Sequence, residues 1–187
     1  MKRPFLATKS SARVRPAFAF PLVLVTALAA APHAAPAATM LGTGPFGDEW
    51  FAWQDTEAGK RVCFMHATPQ DMAPKGVTRG SVLLMVVHRP GDNARNVVSV
   101  VAGYTFAANS VVTVTIDRAD FPMFTKDDGA WAYTADQDAA MVRAMISGSR
   151  MTVKGTSSRG TTTTDTYSLA GFTAAHDAID RACPAGR

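Results

Sequence analysis

The opening of this chain constrains it most: five basic residues, Lys2, Arg3, Lys9, Arg13 and Arg15, with no acid among them, run into the apolar stretch Ala17 to Ala31. A basic region, an apolar region and the small residues Ala35-Pro36-Ala37 follow the order of a cleaved export signal. The apolar stretch is about 15 residues, short of the ~20 that span a bilayer, and Pro21 interrupts it, so no transmembrane anchor is expected after cleavage. Residues 1–37 are therefore read as a signal peptide. The mature chain then starts at Ala38 and folds where disulfides persist.

Removing the signal changes the charge. Of nineteen basic residues, fourteen remain against all fifteen acids, so a formal +4 becomes roughly −1. Without a basic stripe, the counterion release that drives nucleic-acid binding has nothing to act through, and no nucleic-acid partner is expected. Cys63 and Cys183 both lie in the mature part, and an even number in an exported chain favours a disulfide. Such a bridge closes a loop of about 120 residues, valued at roughly 5 kcal/mol by chain entropy. The alternative is a pair of buried free thiols.

No long repeat follows the signal, and the size suits one core. Residues 38–47, rich in glycine, are expected to form a flexible leader, with a single domain over 48–187. Strands are predicted at Trp50 to Gln54, Val62 to Thr68, Ser81 to Val87, Asn96 to Ala102, Val111 to Ile116, Arg150 to Lys154 and Thr163 to Leu169. The unbroken apolar run to Val87 predicts a central strand covered on both faces. Helical spacing marks Ala135 to Ile146, with Met141, Val142, Met145 and Ile146 inward, and Phe172 to Cys183, with Asp177, Asp180 and Arg181 toward water. The fold class is mainly β: an antiparallel, β-sandwich-like domain with two short helices, the second C-terminal.

Motifs that would carry chemistry are absent from the sequence. There is no G-x-S-x-G elbow, S-x-x-K nucleophile, P-loop or G-x-G-x-x-G, and His66, His88 and His176 form no H-x-x-x-H or H-E-x-x-H set. No catalytic residue, metal or cofactor is assigned. Arg89 and Arg159 stand beside Pro90 and Gly160, where a loop presents a guanidinium to a carboxylate or phosphate unless an internal acid takes it. Alternation puts Asp165 on one face with Tyr167 and Leu169, at the edge of the core, so it needs a cation. Arg159, Lys154 and Arg89 are the candidates. Ser157 and Ser158 fall in a turn whose backbone groups their hydroxyls satisfy.

Four segments point to a family: Gly80 to Pro90, Asn96 to Tyr104, Met123 to Lys126 with Trp131, and Lys154 to Ser168, where Lys-Gly-Thr-Ser-Ser-Arg-Gly precedes Asp-Thr-Tyr-Ser-Leu. In these the mature chain resembles the invasion-associated locus B family of exported envelope proteins. The resemblance implies a β-sandwich-like periplasmic or outer-membrane-associated protein without an established enzyme activity, and the chain is read as a non-enzymatic exported protein, periplasmic, outer-membrane-associated or secreted, that binds an envelope or extracellular component. Arg89, Tyr104, Lys154, Ser157, Arg159, Asp165 and Tyr167 are its candidate binding or structural motif. A hydrolase or transferase assembled only in three dimensions is the alternative.

Overall fold

A computed structural model describes residues 37–184, so the expected signal lies, but for Ala37, outside the described residues. Eleven strands follow one another as β1 (Thr39–Met40), β2 (Phe51–Glu57), β3 (Lys60–Ala67), β4 (Asp71–Ala73), β5 (Leu83–Arg89), β6 (Ala94–Val101), β7 (Val111–Ile116), β8 (Ala119–Lys126), β9 (Gly129–Trp131), β10 (Arg150–Thr156) and β11 (Thr162–Ser168). Helix α1 (Ala135–Ser147) precedes β10, and α2 (Phe172–Ala182) ends the fold. The strands make one antiparallel sheet in the order β1-β2-β3-β5-β6-β9-β8-β7-β10-β11-β4. The mainly β class, with its second helix C-terminal, is as the sequence indicates.

The sheet curls so that β11 comes back beside the start of β2. β4 leaves β3 after three residues yet pairs with β11 at the far end of the order, and the Gln70 N–H continues the contact to the Thr166 carbonyl at 2.8 Å. The Trp50 indole N–H reaches the Ser168 carbonyl at 3.0 Å. Side chains pointing inward from both halves, among them Met65, Leu84, Val86, Val98, Val114 and Met151, thus share one core with Met141, Met145, Phe172 and Ile179 of the helices.

Local chemistry explains the helix ends. The Thr134 hydroxyl accepts the Gln137 N–H and caps α1, and Gly148 stops it. Asp138 on α1 accepts the Val98 N–H at 2.9 Å, on the side of β6 away from β5, where β9 reaches only Ser99 to Val101. Burial without a cation raises the Asp138 pKa. α2 is clipped to the sheet by the Cys63–Cys183 disulfide, whose Cα atoms lie 5.9 Å apart.

Three expectations change. Residues 38–47 are not a loose leader: β1 pairs with β2, Phe46 bridges to Trp50, and Leu41 and Phe46 pack against the core, because apolar side chains are spaced through the glycines. β5 is central, between β3 and β6, but its burial alternates, so only one face is covered. Ile146 is exposed, one residue past the inward stripe of α1.

Because the bridge joins an early strand to the last helix, we expect no titratable thiol in the native protein and two after reduction and unfolding. Reduction should lower the melting temperature sharply, the chain-entropy value being roughly 5 kcal/mol. Two thiols titrating in native, unreduced protein would contradict the bridge.

Candidate functional site

Alternation along β11 turns Thr163, Asp165 and Tyr167 inward, with Asp165 only 2% exposed. A carboxylate there must find a cation, and Arg79, from the segment between β4 and β5, supplies it. Its two terminal nitrogens donate to the two Asp165 oxygens at 2.6 and 2.7 Å. Nε and one terminal nitrogen also donate to the Ala102 carbonyl at 2.9 and 2.7 Å. The Tyr104 ring lies under the guanidinium, 5.0 Å from its carbon to the ring centroid, and its hydroxyl pairs with Thr163 Oγ1 at 2.7 Å. Burial works against the charge of Arg79, but Asp165 more than offsets it and its pKa is raised.

The expected partners of Asp165 are thereby corrected. Lys154 lies on the outer face of β10, opposite Thr164, while Val153 is the inward residue opposite Asp165. Arg89 ends β5 and pairs with Glu57 at 2.5 Å, exposed to solvent. Arg159 sits in the β10–β11 turn and makes no ion pair or hydrogen bond among the described residues. Tyr167 is fully buried, and that burial, with Asp165 beside it, pushes its pKa upward.

Above the pair opens a cleft of about 450 Å³, walled by three segments: Val77 to Gly80, Gly103 to Thr105 and Ser157 to Thr163. Two glycines let the segments around it pack closely. Gly103 has φ +69°, and a Cβ there would meet the Gly80 backbone at 2.6 Å; one on Gly155 would meet the Phe106 ring at 2.7 Å, where Phe106 packs edge-on against Tyr104. The 157–161 turn is fixed by its own bonds: Ser157 N–H to Thr161 O, Gly160 N–H to Ser157 O, and Thr161 N–H to the Ser157 hydroxyl, with Ser158 N–H held by Thr105 O. The Ser157 hydroxyl thus satisfies turn backbone, whereas that of Ser158 makes no hydrogen bond among the described residues.

The cleft presents the Arg159 guanidinium and the hydroxyl residues Thr78, Thr105, Ser158 and Thr161 around the Tyr104 ring. Burial raises the Tyr104 pKa, although Thr163 and Arg79 pull it the other way, so the phenol stays neutral. With Arg79 matched by Asp165, the unmatched charge in this wall is Arg159. The arrangement can hold an acidic group by one guanidinium and several hydroxyl donors. Of the seven candidate residues, the structure gathers Tyr104, Ser157 and Arg159 at the cleft, with Asp165 and Tyr167 beneath it; Lys154 and Arg89 lie elsewhere.

Sequence reasoning missed a second polar cluster. His88, His176 and Asp180 bring ligand-type atoms within 4.8 Å of one another. His88 Nε2 lies 2.7 Å from Asp180 and its Nδ1 accepts the Asn96 N–H, so Nε2 is the donor. His176 Nε2 bonds the Asn96 side-chain oxygen at 2.9 Å, and Arg95 binds Asp180 at 2.5 Å. A metal ion here would have to displace Arg95 and both histidine bonds, so the cluster acts as a hydrogen-bonded clasp between α2 and β5–β6. Asp180, expected in water, belongs to it; the i, i+4 spacing from His176 was the available signal.

The sequence matches the family described as Invasion associated locus B (IalB) protein over residues 50–180. The fold is similar to the crystal structure of invasion associated protein b from Bartonella henselae, with a TM-score of 0.53 and 16% identity, covering 74% of this chain and 95% of that one. No curated protein matches the chain.

Removing one partner of a buried pair costs about 3–5 kcal/mol because the other charge is stranded. Asp165→Ala and Arg79→Ala are each expected to lower the melting temperature by many degrees, and an apolar replacement of both to recover part of it. Wild-type melting of Asp165→Ala would show that the pair carries no stability. Burial lowers the pKa of His66, His88 and His176 alike. The unfolded chain then binds protons first, so their contribution is whole above the unfolded pKa of about 6.5 and is lost as pH falls toward the depressed folded values. Melting temperature should therefore drop between roughly pH 7 and 5, and less so in His88→Gln. A profile that rises over that range would refute the assignment.

Proposed function

Since this chain belongs to the invasion associated locus B family, we propose that it is an exported, non-enzymatic envelope protein that binds an acidic envelope or extracellular component, including a host one, in the cleft beside Tyr104. Export to the periplasm, outer membrane or medium rests on the leader sequence and fits the Cys63–Cys183 bridge. Among the described residues no helix is long and apolar enough to cross a membrane. The observation that carries the binding reading is the unmatched guanidinium of Arg159 among hydroxyl donors, above a floor whose other charges are already paired. Serine and threonine hydroxyls line this cleft without a histidine beside them, so the hydrolase or transferase alternative lacks a base to activate a nucleophile there.

Capture from envelope extracts tests the proposal. Arg159→Ala should reduce capture at least several-fold with an unchanged melting temperature, since its side chain holds no other element, and Ser158→Ala should reduce it less. Arg159→Lys should recover only part, because a point charge replaces a planar fork. Undiminished capture by Arg159→Ala would send the binding site elsewhere.

A further inference from the structure

The outer face of the sheet divides into two halves of opposite chemistry. On β10 and β11 the outward residues are polar: Thr152 opposite Thr166, Lys154 opposite Thr164, Thr156 opposite Thr162. Across the other half the register draws a largely apolar row. Phe51 stands opposite His66, His66 opposite Met85, Met85 opposite Ser99, and Ser99 opposite Trp131. Trp131 then meets Phe124, and Phe124 meets Val111. A second row, Trp53, Phe64, Val87 and Val97, runs beside it. Phe51 and Trp53 both stack on His66, and Phe124 packs on Trp131 and Tyr133.

This face is open. The alternate residues of the same strands, Ala52, Met65, Leu84, Val86, Val98 and Val100, are buried on the inner side, where α1 packs on β6 and α2 on β2 and β3. The rows from Phe51 to Trp131 are half-buried against one another, and at the β8 edge Phe124, Val111 and Tyr133 are 39%, 49% and 54% exposed. The hydroxyl half of the sheet shows that this fold does not need an apolar exterior. Contiguous apolar surface of this extent on a folded domain marks an interaction site.

We propose that the apolar outer face of β2, β3, β5, β6, β9 and β8 binds the same face of a second copy of this chain, forming a two-fold dimer. Its area suits that partner. Six strands span about 29 Å across and the apolar rows run roughly 10–20 Å along them, β9 contributing only three residues, so two copies cover on the order of 1,000 Å², the threshold of a specific interface. Its charge does too. At one end Glu57 is matched by Arg89 and Lys60 by Asp92 within the copy, and at the other Lys126, beside Phe124, is the one cation of this face without an acid among the described residues, far short of the basic cluster that attracts an anionic lipid surface. A self-complementary apolar patch is what a two-fold contact requires, with the sheets packed face to face about 10 Å apart.

Analytical ultracentrifugation of the purified protein tests this. The expected result is a concentration-dependent dimer. Met85→Lys, near the middle of the face, and Phe124→Lys, at an already exposed position, should each weaken the dimer at least roughly tenfold. Thr164→Lys on the hydroxyl half should leave it intact. Circular dichroism separates loss of association from loss of fold, and Phe124→Lys keeps the test decisive if Met85→Lys does not fold. A wild-type monomer at high-micromolar concentration, or a dimer indifferent to both lysines, overturns the proposal. A monomer that pellets with phosphatidylcholine vesicles also overturns it and assigns the face to lipid. The cleft variant Arg159→Ala should dimerise normally, so this test stands apart from the ligand-binding one.

Discussion

A carboxylate on the inner face of a strand is stable only if the fold delivers a cation to it, and here the delivery organises one end of the molecule. Arg79 spends four hydrogen bonds on two acceptors, the Asp165 carboxylate and the Ala102 carbonyl. The first belongs to β11 and the second lies just past β6, while Arg79 itself comes from the link between β4 and β5. Three chain segments are therefore fixed relative to one another by one planar group. A lysine could not do this, since its point charge has no fork to share between two acceptors. The cleft is the space left between segments so held.

The opposite margin is held by different chemistry with the same logic. Cys183 lies on the buried side of α2 and is bonded to β3, directly opposite His88 of β5. His88 bonds Asp180 and accepts the Asn96 N–H, His176 bonds the Asn96 side-chain oxygen, and Arg95 bonds both Asp180 and the Cys183 carbonyl. Buried neutral imidazoles satisfy their neighbours without a charge to desolvate, which is why burial can depress their pKa values without stranding a partner.

Much of this was legible in the chain. Alternation located β7, β10 and β11 and turned Asp165 inward, and 3.6-residue spacing located both helices. What escaped was decided through space. The partner of Asp165 is 86 residues away, and nothing near Thr78-Arg79-Gly80 announces it. β8 escaped because Pro122 argues against a strand; it is tolerated where β9, pairing only with Phe124 to Lys126, leaves that stretch bonded on one side. The apolar run of β5 was legible but ambiguous. Periodicity reports that both faces are apolar, and cannot say whether the second is covered within the chain or left outward.

That ambiguity separates the two surfaces of the molecule physically. The cleft sits where backbone and side chain are already pinned: the Ser157 to Thr161 turn carries its own hydrogen bonds, and Tyr104 is held between Arg79 and Thr163. A ligand reaching Arg159 would order little besides that one side chain, so the cost of binding is small and weak individual contacts can suffice. The outer rows of β2 to β8 work otherwise. Their aromatic and aliphatic side chains gain only by leaving water, which a small polar ligand cannot provide and a matching flat surface can. Directional polar contacts at the proposed cleft site and non-directional burial at the proposed dimer face would therefore select different partners, and neither would compete with the other for its occupant.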